Sequence, residues 1–352
     1  MSGVSSRIMS SERSEVSQEA QTLALAEQRR LKKEQRQAAL EKEAEERSRI
    51  LPREWAVVQD APGIGWHTRV MTWNLLAQTL VRRELFPKSD CLKAAQRENM
   101  IYREILSHNA DICCMQGRHS SIVLRTQAAI LLREVSRFRD ELSPAESPWP
   151  CIIAGDDAAY SLLTGDPLSP EQEARLAASR VVHKSIDPNV PVAPEAATEG
   201  AEEDEGAAAT ESDPDKVITN ARPALPADGL LTDAELADML RQYDRPTSVY
   251  DEGQRICTAA STLERELTFG NRAPIPAERH GAYEPNWTSY THYWKSVLDY
   301  MFVLSPPQRN VIVTRLAKPH RTEALSPGIP LKGVCGSDHI SLGAELCLPP
   351  PS

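Results

Sequence analysis

The sequence predicts an α/β fold, on three observations. A strand, an amphipathic helix and a second short apolar strand follow one another between Arg69 and Met115. A second helical pattern, from Leu124 to Leu142, then runs into another buried strand, Cys151 to Ala154. Strand signals return in the last sixty or so residues, after a long polar interval. Alternation of strands and helices of this kind places helices against a sheet. With 41% hydrophobic and 26% charged residues in 352, the chain has material for a sizeable core and polar additions to it.

Residues 1–52 read as a charged extension. Leu23, Leu25, Leu31, Leu40 and Ile50 are too sparse for a sustained heptad, so Glu19 to Arg49 is expected to be an exposed helix of mixed charge, or disordered. A solvated extension is the plainer reading. A protein partner for this charged helix is the sharper one. Pro52 ends it, and the folded part, 66–349, is expected to start near Trp66.

Arg69 to Trp73 reads as a strand entering the core. Leu92 to Ser107 carries Leu92, Ala95, Ile101, Tyr102, Ile105 and Leu106 on one helical face. Asn109-Ala110-Asp111 is a turn, and Ile112 to Met115 a buried strand. This order brings Asn74 and the end of the second strand to one rim. Leu124, Ala128, Leu131, Val135, Phe138 and Leu142 recur at spacings of three and four, a second amphipathic helix. Pro148 and Pro150 frame its exit into the strand at Cys151. Residues 185–215 are acidic and nearly devoid of large apolar side chains. They cannot bury enough surface to offset ordering entropy, and are expected to be a disordered insertion. Thr232 or Asp233 caps a helix through Tyr243. Residues 246–290 read as loop-rich with short helical turns, and Ser296 to Leu304, Asn310 to Leu316 and His339 to Leu346 as strands.

A net charge of -10 excludes recognition of nucleic acid by a generally basic surface, so any such contact must be local. None of the seven cysteines forms a C-x-x-C pair and most lie in apolar runs, as expected of buried thiols without disulfides in a reducing compartment. No signal-peptide or membrane-spanning run is evident, so a cytoplasmic or nuclear location is the default expectation.

Phosphodiester hydrolysis needs a metal ion, an activated water and groups that hold phosphate oxygens. Asn74, Asp156, Asp299, Asp338 and His339 supply carboxylates, an amide and an imidazole at strand ends. Each has a plainer reading. An Asn after a strand and a Gly-Asp pair are usually turns, and an Asp-His pair is more often structural than catalytic. Asp299, within Val-Leu-Asp-Tyr-Met-Phe-Val, is harder to set aside, because a carboxylate on an apolar strand is costly unless bonded. The five together, in order on separated strands, make a specific set.

The wording Met71-Thr72-Trp73-Asn74-Leu75-Leu76-Ala77, Gly155-Asp156, Leu298-Asp299-Tyr300 and Gly336-Ser337-Asp338-His339 resembles the endonuclease/exonuclease/phosphatase superfamily. It resembles in particular the RNA exonuclease branch with the deadenylases, Angel and nocturnin. Arg53 to Arg97 looks closest to a fungal branch implicated in RNA 3′-end trimming. The resemblance covers residues 66–170 and 285–347. It implies a four-layer sandwich of two facing β-sheets with helices outside, incomplete in this chain, and Mg²⁺-dependent 3′-to-5′ cleavage of an RNA 3′ end. It implies that Asn74 organises metal and phosphate, Asp156 orients or deprotonates water, Asp299 fixes the ring of His339, His339 contacts a phosphate oxygen, and Asp338 lies close to the metal.

Two pieces depart from that pattern. Where the family carries its metal-binding Glu, Met115-Gln116 is followed by Gly117, and the strands that should follow are missing before the helix at Leu124. The Asn two residues after the family's Gly-Asp is also absent, which leaves Asp156 or Asp157 as the counterpart. Both losses remove internal pieces and leave the flanks intact, as skipped coding segments would. Three readings follow: an Mg²⁺-dependent RNA exonuclease, a truncated non-catalytic relative that binds RNA or protein, and a phosphodiesterase acting on a small molecule.

Overall fold

A computed structural model describes residues 27–61, 63–78, 81–116, 124–142, 151–155, 158–168, 170–178, 180–184, 187–190, 220–260, 278–305, 310–348 and 350. Most of the predicted acidic insertion, 185–186 and 191–215, lies outside the described residues. The chain divides into two units after Arg49. In the first, helix α1 (27–47) is exposed along its length. Its surface is laced by pairs one turn apart, Arg47 with Glu43 and Arg30 with Glu34, which support an isolated helix by a few tenths of a kcal/mol each.

The second unit runs, in chain order, β1 (Trp55–Val57), β2 (Trp66–Asn74), α2 (Ala94–His108), β3 (Ile112–Gln116), α3 (Leu124–Leu142), β4 (Cys151–Gly155), α4 (Ala158–Thr164), α5 (Pro170–Ala178) and β5 (Val181–His183). It continues with β6 (Ala221–Pro223), α6 (Asp233–Arg241), β7 (Thr247–Ser248), α7 (Val249–Ala259), β8 (Ser289–Tyr290), β9 (Lys295–Ser296), β10 (Tyr300–Leu304), β11 (Ile312–Ala317), α8 (Thr322–Leu325) and β12 (Leu342–Leu348). A five-stranded sheet has the order β1-β11-β12-β2-β3, and a three-stranded sheet the order β4-β10-β7. Only the β2–β3 pair is parallel, with Asn74 in register with Gln116 at its end.

Strand alternation sorts the side chains into layers. Met301 and Val303 of β10 share one cluster with Val70 of β2, Val313 and Leu316 of β11, and Leu342, Ala344 and Leu346 of β12, so the two sheets face each other. The opposite side chains of β10, Tyr300, Phe302 and Leu304, pack under Leu132 of α3, Tyr160 and Leu163 of α4, and Leu236 of α6. On the far side of the larger sheet, Met71 and Trp73 pack with Ile101 and Ile105 of α2. The α/β expectation is borne out, as a sheet pair with helices on both outer faces.

Four details differ from the sequence reading. The sheet begins before residue 66, because β1 pairs with β11 as an edge strand. The predicted loop-rich stretch after 246 contains α7, whose Val249, Tyr250 and Cys257 lie in the inter-sheet core and not outside both sheets. Gly253 hid this helix, since Gly disfavours helix by about 1 kcal/mol. A Cβ there would stand 2.8 Å from Leu316 Cδ1, so glycine permits the close approach to β11. On α3, Val135 packs against the core as predicted while Phe138 is exposed and Leu132 and Ser136 are buried; the side chains of Leu124, Ala128, Leu131 and Leu142 lie outside the described residues. On α2, Tyr102 and Leu106 are 58% and 75% exposed, while Arg97, Glu104 and His108 are buried beside Met100.

The inner face of α2 is apolar at Ile101 and Ile105, over Met71 and Trp73, and polar at Glu104 and His108, where residues flanking the strands meet it. Arg53 donates to Glu104 Oε1 (3.0 Å), to the Lys318 carbonyl (2.8 Å) and to Ser341. Ser341 Oγ donates to Glu104 (2.6 Å), and His108 Nε2 lies 2.9 Å from the same hydroxyl. Burial alone would raise the Glu104 pKa. The His108 bond and the Arg53 charge outweigh it and hold the carboxyl below its ordinary range. His320, close to this cluster, is pushed down to about 3, by burial first and by the Arg53 charge second.

That last shift gives the fold a pH dependence. A His held neutral in the folded state contributes stability that is complete above its unfolded pKa of about 6.5 and is lost as pH falls towards the folded value. Urea unfolding is expected to lose up to about 1.4 kcal/mol per pH unit between pH 6.5 and 5 from this residue, before carboxylates titrate. His320→Gln should flatten that slope. An unchanged slope in the variant would assign the loss elsewhere.

Candidate active site

Strand β12 delivers the Gly336-Ser337-Asp338-His339 segment to the rim where β2 ends. Leu342 pairs with Thr72, and the antiparallel register continues to Leu348 with Trp66. Counting back from Leu342 and forward from Thr72 brings residues 338–340 beside Asn74. Trp73 Nε1 donates to the His339 carbonyl (2.8 Å), and Ser337 Oγ donates to the Asn74 carbonyl (2.6 Å).

The second sheet supplies Asp299, just before β10. Its Oδ2 lies 2.6 Å from His339 Nδ1, and both side chains are largely enclosed. A carboxylate at that distance fixes the ring's tautomer and orientation and stabilises positive charge on it. His339 Nε2 is left on the other side, 3.9 Å from Asp338 Oδ2. The Asp299 backbone is itself held. Thr288 Oγ1 accepts from the amides of Leu298 (2.7 Å) and Asp299 (3.0 Å), and the Thr288 carbonyl accepts from Ile340 N (2.7 Å). One fully buried threonine thus ties the Asp of one sheet to the residue after the His of the other.

Asn74 is 4% exposed, and its Oδ1 accepts from the Leu76 amide at 3.3 Å. That turn uses a left-handed Leu76, with φ of 53°, a conformation unusual for a branched side chain. Ser337 Oγ lies within bonding distance of the Asn74 backbone carbonyl (2.6 Å) and of Asp338 Oδ1 (3.3 Å), its one hydrogen serving the shorter contact, and so ties the Asn74 backbone to the Asp338 carboxylate. An amide oxygen and one carboxylate on a shared rim are oxygen donors of the kind Mg²⁺ takes, with water and phosphate completing its octahedron. Among the described residues no three His, Cys, Asp or Glu side chains gather into a metal cage.

Strand β4 brings the chain to this rim as well, since Gly155 pairs with Tyr300, next to Asp299. Asp156, Asp157 and Gly117 lie outside the described residues. Cys91, Cys113, Cys114, Cys257, Cys335 and Cys347 are free thiols, and no described helix is long and apolar enough to cross a membrane. Cys113 and Cys114 are exposed, contrary to the expectation of buried thiols; their strand, β3, is at the edge of its sheet among the described residues.

Sequence reasoning named the ends of the constellation and missed its supports, Thr288, Ser337 and Arg97. Ser337 stood inside a quoted motif without a role. Arg97 had a legible signal: Arg97, Glu104 and His108 recur near helical spacing, so three polar side chains share one face.

No family model matches the chain. RNA exonuclease NGL2 of Saccharomyces cerevisiae (strain ATCC 204508 / S288c) is 43% identical over 56 residues, which are 16% of this chain and 11% of that protein. The chain therefore matches about a tenth of that relative's length. The crystal structure of ANGEL2, a 2′,3′-cyclic phosphatase, is similar at a TM-score of 0.45 and 14% identity, over 85% of this chain and 98% of that one. Its complex with adenosine-2′,3′-vanadate is similar at a TM-score of 0.36 and 14% identity, over 85% and 99%. The sequence match bears out the family resemblance read from the motifs. The layering described above rests on this chain's own strands.

Gly336 gives a direct test of how tightly the rim is packed. A Cβ there would stand 3.0 Å from Ile101 Cγ1 and 3.1 Å from the Arg97 carbonyl. Gly336→Ala is expected to destabilise by about 1–3 kcal/mol, the usual cost of overpacking. A urea midpoint within error of wild type would show that this loop shifts freely.

Proposed function

We propose that the rim carrying Asn74, Asp299, Asp338 and His339 is a phosphodiester-hydrolysing site for RNA 3′ ends, dependent on Mg²⁺ and working well below the rate of a complete site. The observation that carries this reading is the 2.6 Å contact between Asp299 and His339, made across two sheets and beside Asp338. The short match to an RNA exonuclease supports RNA over a small-molecule phosphodiester as substrate. An acidic chain binding through a local site agrees with it.

Asn74 and Asp338 would hold the metal ion, which supplies positive charge to the phosphate and acidifies a water when bound. Asp299 accepts from Nδ1 of His339 and favours the doubly protonated ring, whose Nε2–H would donate to a phosphate oxygen as negative charge develops there. Asp156, on the chain leaving β4, would orient or deprotonate the attacking water. Ser337 and Thr288 keep these groups from drifting apart by bonds to both sides of the rim. The reduced rate follows from the sequence: Gly117 has no oxygen on its side chain, and the Asn expected after Gly155-Asp156 is absent. Loss of one donor to developing charge typically costs about 10² to 10³ in rate.

The test is a 3′-polyadenylated oligonucleotide assayed with Mg²⁺. Wild type should shorten it slowly, His339→Ala should abolish the shortening, and Gly117→Glu should raise it only in part, by about tenfold, because the restored carboxylate is a metal ligand and the donor absent after Gly155-Asp156 is still missing. Activity that survives His339→Ala would sink the assignment. Tight binding of the oligonucleotide by wild type, with no His339-dependent cleavage in either wild type or Gly117→Glu, would favour the non-catalytic RNA-binding alternative.

A further inference from the structure

We infer that Arg97 is the positioning residue of this rim: its guanidinium clamps the loop that follows Asn74 to the loop that precedes Asp338. The inference rests on the reading of the rim as a phosphodiester-hydrolysing site. Arg97 lies in the first turn of α2 and is 3% exposed. Nη1 donates to the carbonyls of Leu75 (3.1 Å) and Gly336 (3.0 Å), and Nη2 to the Leu76 carbonyl (3.1 Å) and Gln78 Oε1 (3.1 Å). Four acceptors on two separate loops meet one planar, permanently charged group. A lysine, with a single nitrogen, cannot reproduce that fork.

The bonds fall where orientation matters. Leu76 sits in the left-handed region, and such residues persist only when their surroundings hold them. The Arg97 bond to the Leu76 carbonyl does so from one side of the residue. The Leu76 amide, on the other side, donates to Asn74 Oδ1 and so sets the direction of the Asn74 side chain. On the opposite loop, the Gly336 carbonyl precedes Ser337, whose hydroxyl reaches both the Asn74 carbonyl and Asp338. The Arg97 charge also interacts favourably with Asp338, although burial works to lower the Arg97 pKa. The loops of Asn74 and Asp338, the two proposed metal oxygens, are therefore tied together by one side chain that is hydrogen-bonded to neither of those residues.

Arg97→Lys and Arg97→Ala test this by hydrogen–deuterium exchange and by Mn²⁺ titration followed by electron paramagnetic resonance. Both variants should raise amide exchange by tenfold or more in residues 75–78 and 336–339 together, with β10 and β12 protected as in wild type. Millimolar guanidinium, but not sodium at equal ionic strength, should restore protection in Arg97→Ala. Mn²⁺ affinity should fall at least tenfold in Arg97→Lys, as it should in Asp338→Asn. Faster exchange in one loop only, or in neither, overturns the inference, as does wild-type Mn²⁺ affinity in Arg97→Lys while Asp338→Asn loses it. If Asp338→Asn leaves Mn²⁺ binding untouched, the metal reading of the rim fails instead, and the exchange and rescue results alone decide the clamp. Should Arg97→Ala not fold, the same exchange measurement on Arg97→Lys decides it.

Discussion

The antiparallel pairing of β12 with β2 is the constraint on which the remaining structure depends. Seven residues of β12, Leu342 to Leu348, are bonded to β2 on one side, and the same strand is bonded to β11 on the other. Because the side-chain period of a strand is two, a slip of one residue would move Leu342, Ala344 and Leu346 out of the inter-sheet core. It would also turn Gly343 away from His108, whose ring lies where a Cβ would be, 2.6 Å from Nδ1. The register that satisfies the core is the one that sets Asp338 and His339 beside Asn74. Hydrophobic burial and site geometry are thus a single specification, and the site needs no separate folding instruction beyond its local hydrogen bonds.

Those local bonds are bought by burying charge, and the two buried arginines do so in different ways. Arg53 meets a carboxylate, Glu104, within a network that also engages Ser341 and His108. Such a group is tolerated because its partner is charged and its remaining donors find oxygen, and removing either partner would strand the other. Arg97 instead meets carbonyls and an amide oxygen. It gains less electrostatic compensation and gains geometry, fixing backbone segments that side-chain packing alone would leave free. Both lie under the five-stranded sheet, and both reach the 336–341 segment: Arg97 at Gly336 and Arg53 at Ser341. The segment that carries Asp338 and His339 is therefore bracketed by charge-assisted bonds.

Legibility followed periodicity. The strands at β2, β3, β4, β10, β11 and β12 and the helices α2, α3 and α6 were readable because apolar spacing and capping residues were strong; Thr232 caps α6 through Glu235, for example. The faces of α2 and α3 were less readable. The sequence shows which side chains are apolar, but not that the surface awaiting α2 offers Ser341, the Lys318 carbonyl and Arg53. Tyr102 and Leu106 lost that competition because a polar surface rewards Glu104 and His108. α7 was invisible because its glycine argues against a helix unless β11 is known to approach it. For the site, Asn74, Asp299, Asp338 and His339 were named from strand ends and family wording, and the structure places all four on one rim. Thr288 accepts from backbone amides and Arg97 donates mainly to backbone carbonyls, and which backbone groups they meet is not written in the sequence, although polar spacing marks the face of Arg97.

The sequence departure at Gly117 follows directly on β3. Among the described residues β3 is the edge of the five-stranded sheet, and its Ile112, Cys113, Cys114 and Met115 are exposed. A parallel strand of this composition is ordinarily covered on both faces and paired on both edges, because an open apolar edge invites association with other chains. The strand ends at Gln116, immediately before the position where a metal-binding Glu would stand and where the sequence passes directly to α3. A substitution of Glu by Gly would remove a carboxylate and leave the edge strand's neighbours in place. Loss of an intervening segment would remove the carboxylate and the neighbours together. Covering an open edge takes chain length and not a side chain, so a carboxylate restored at position 117 would not by itself pair β3.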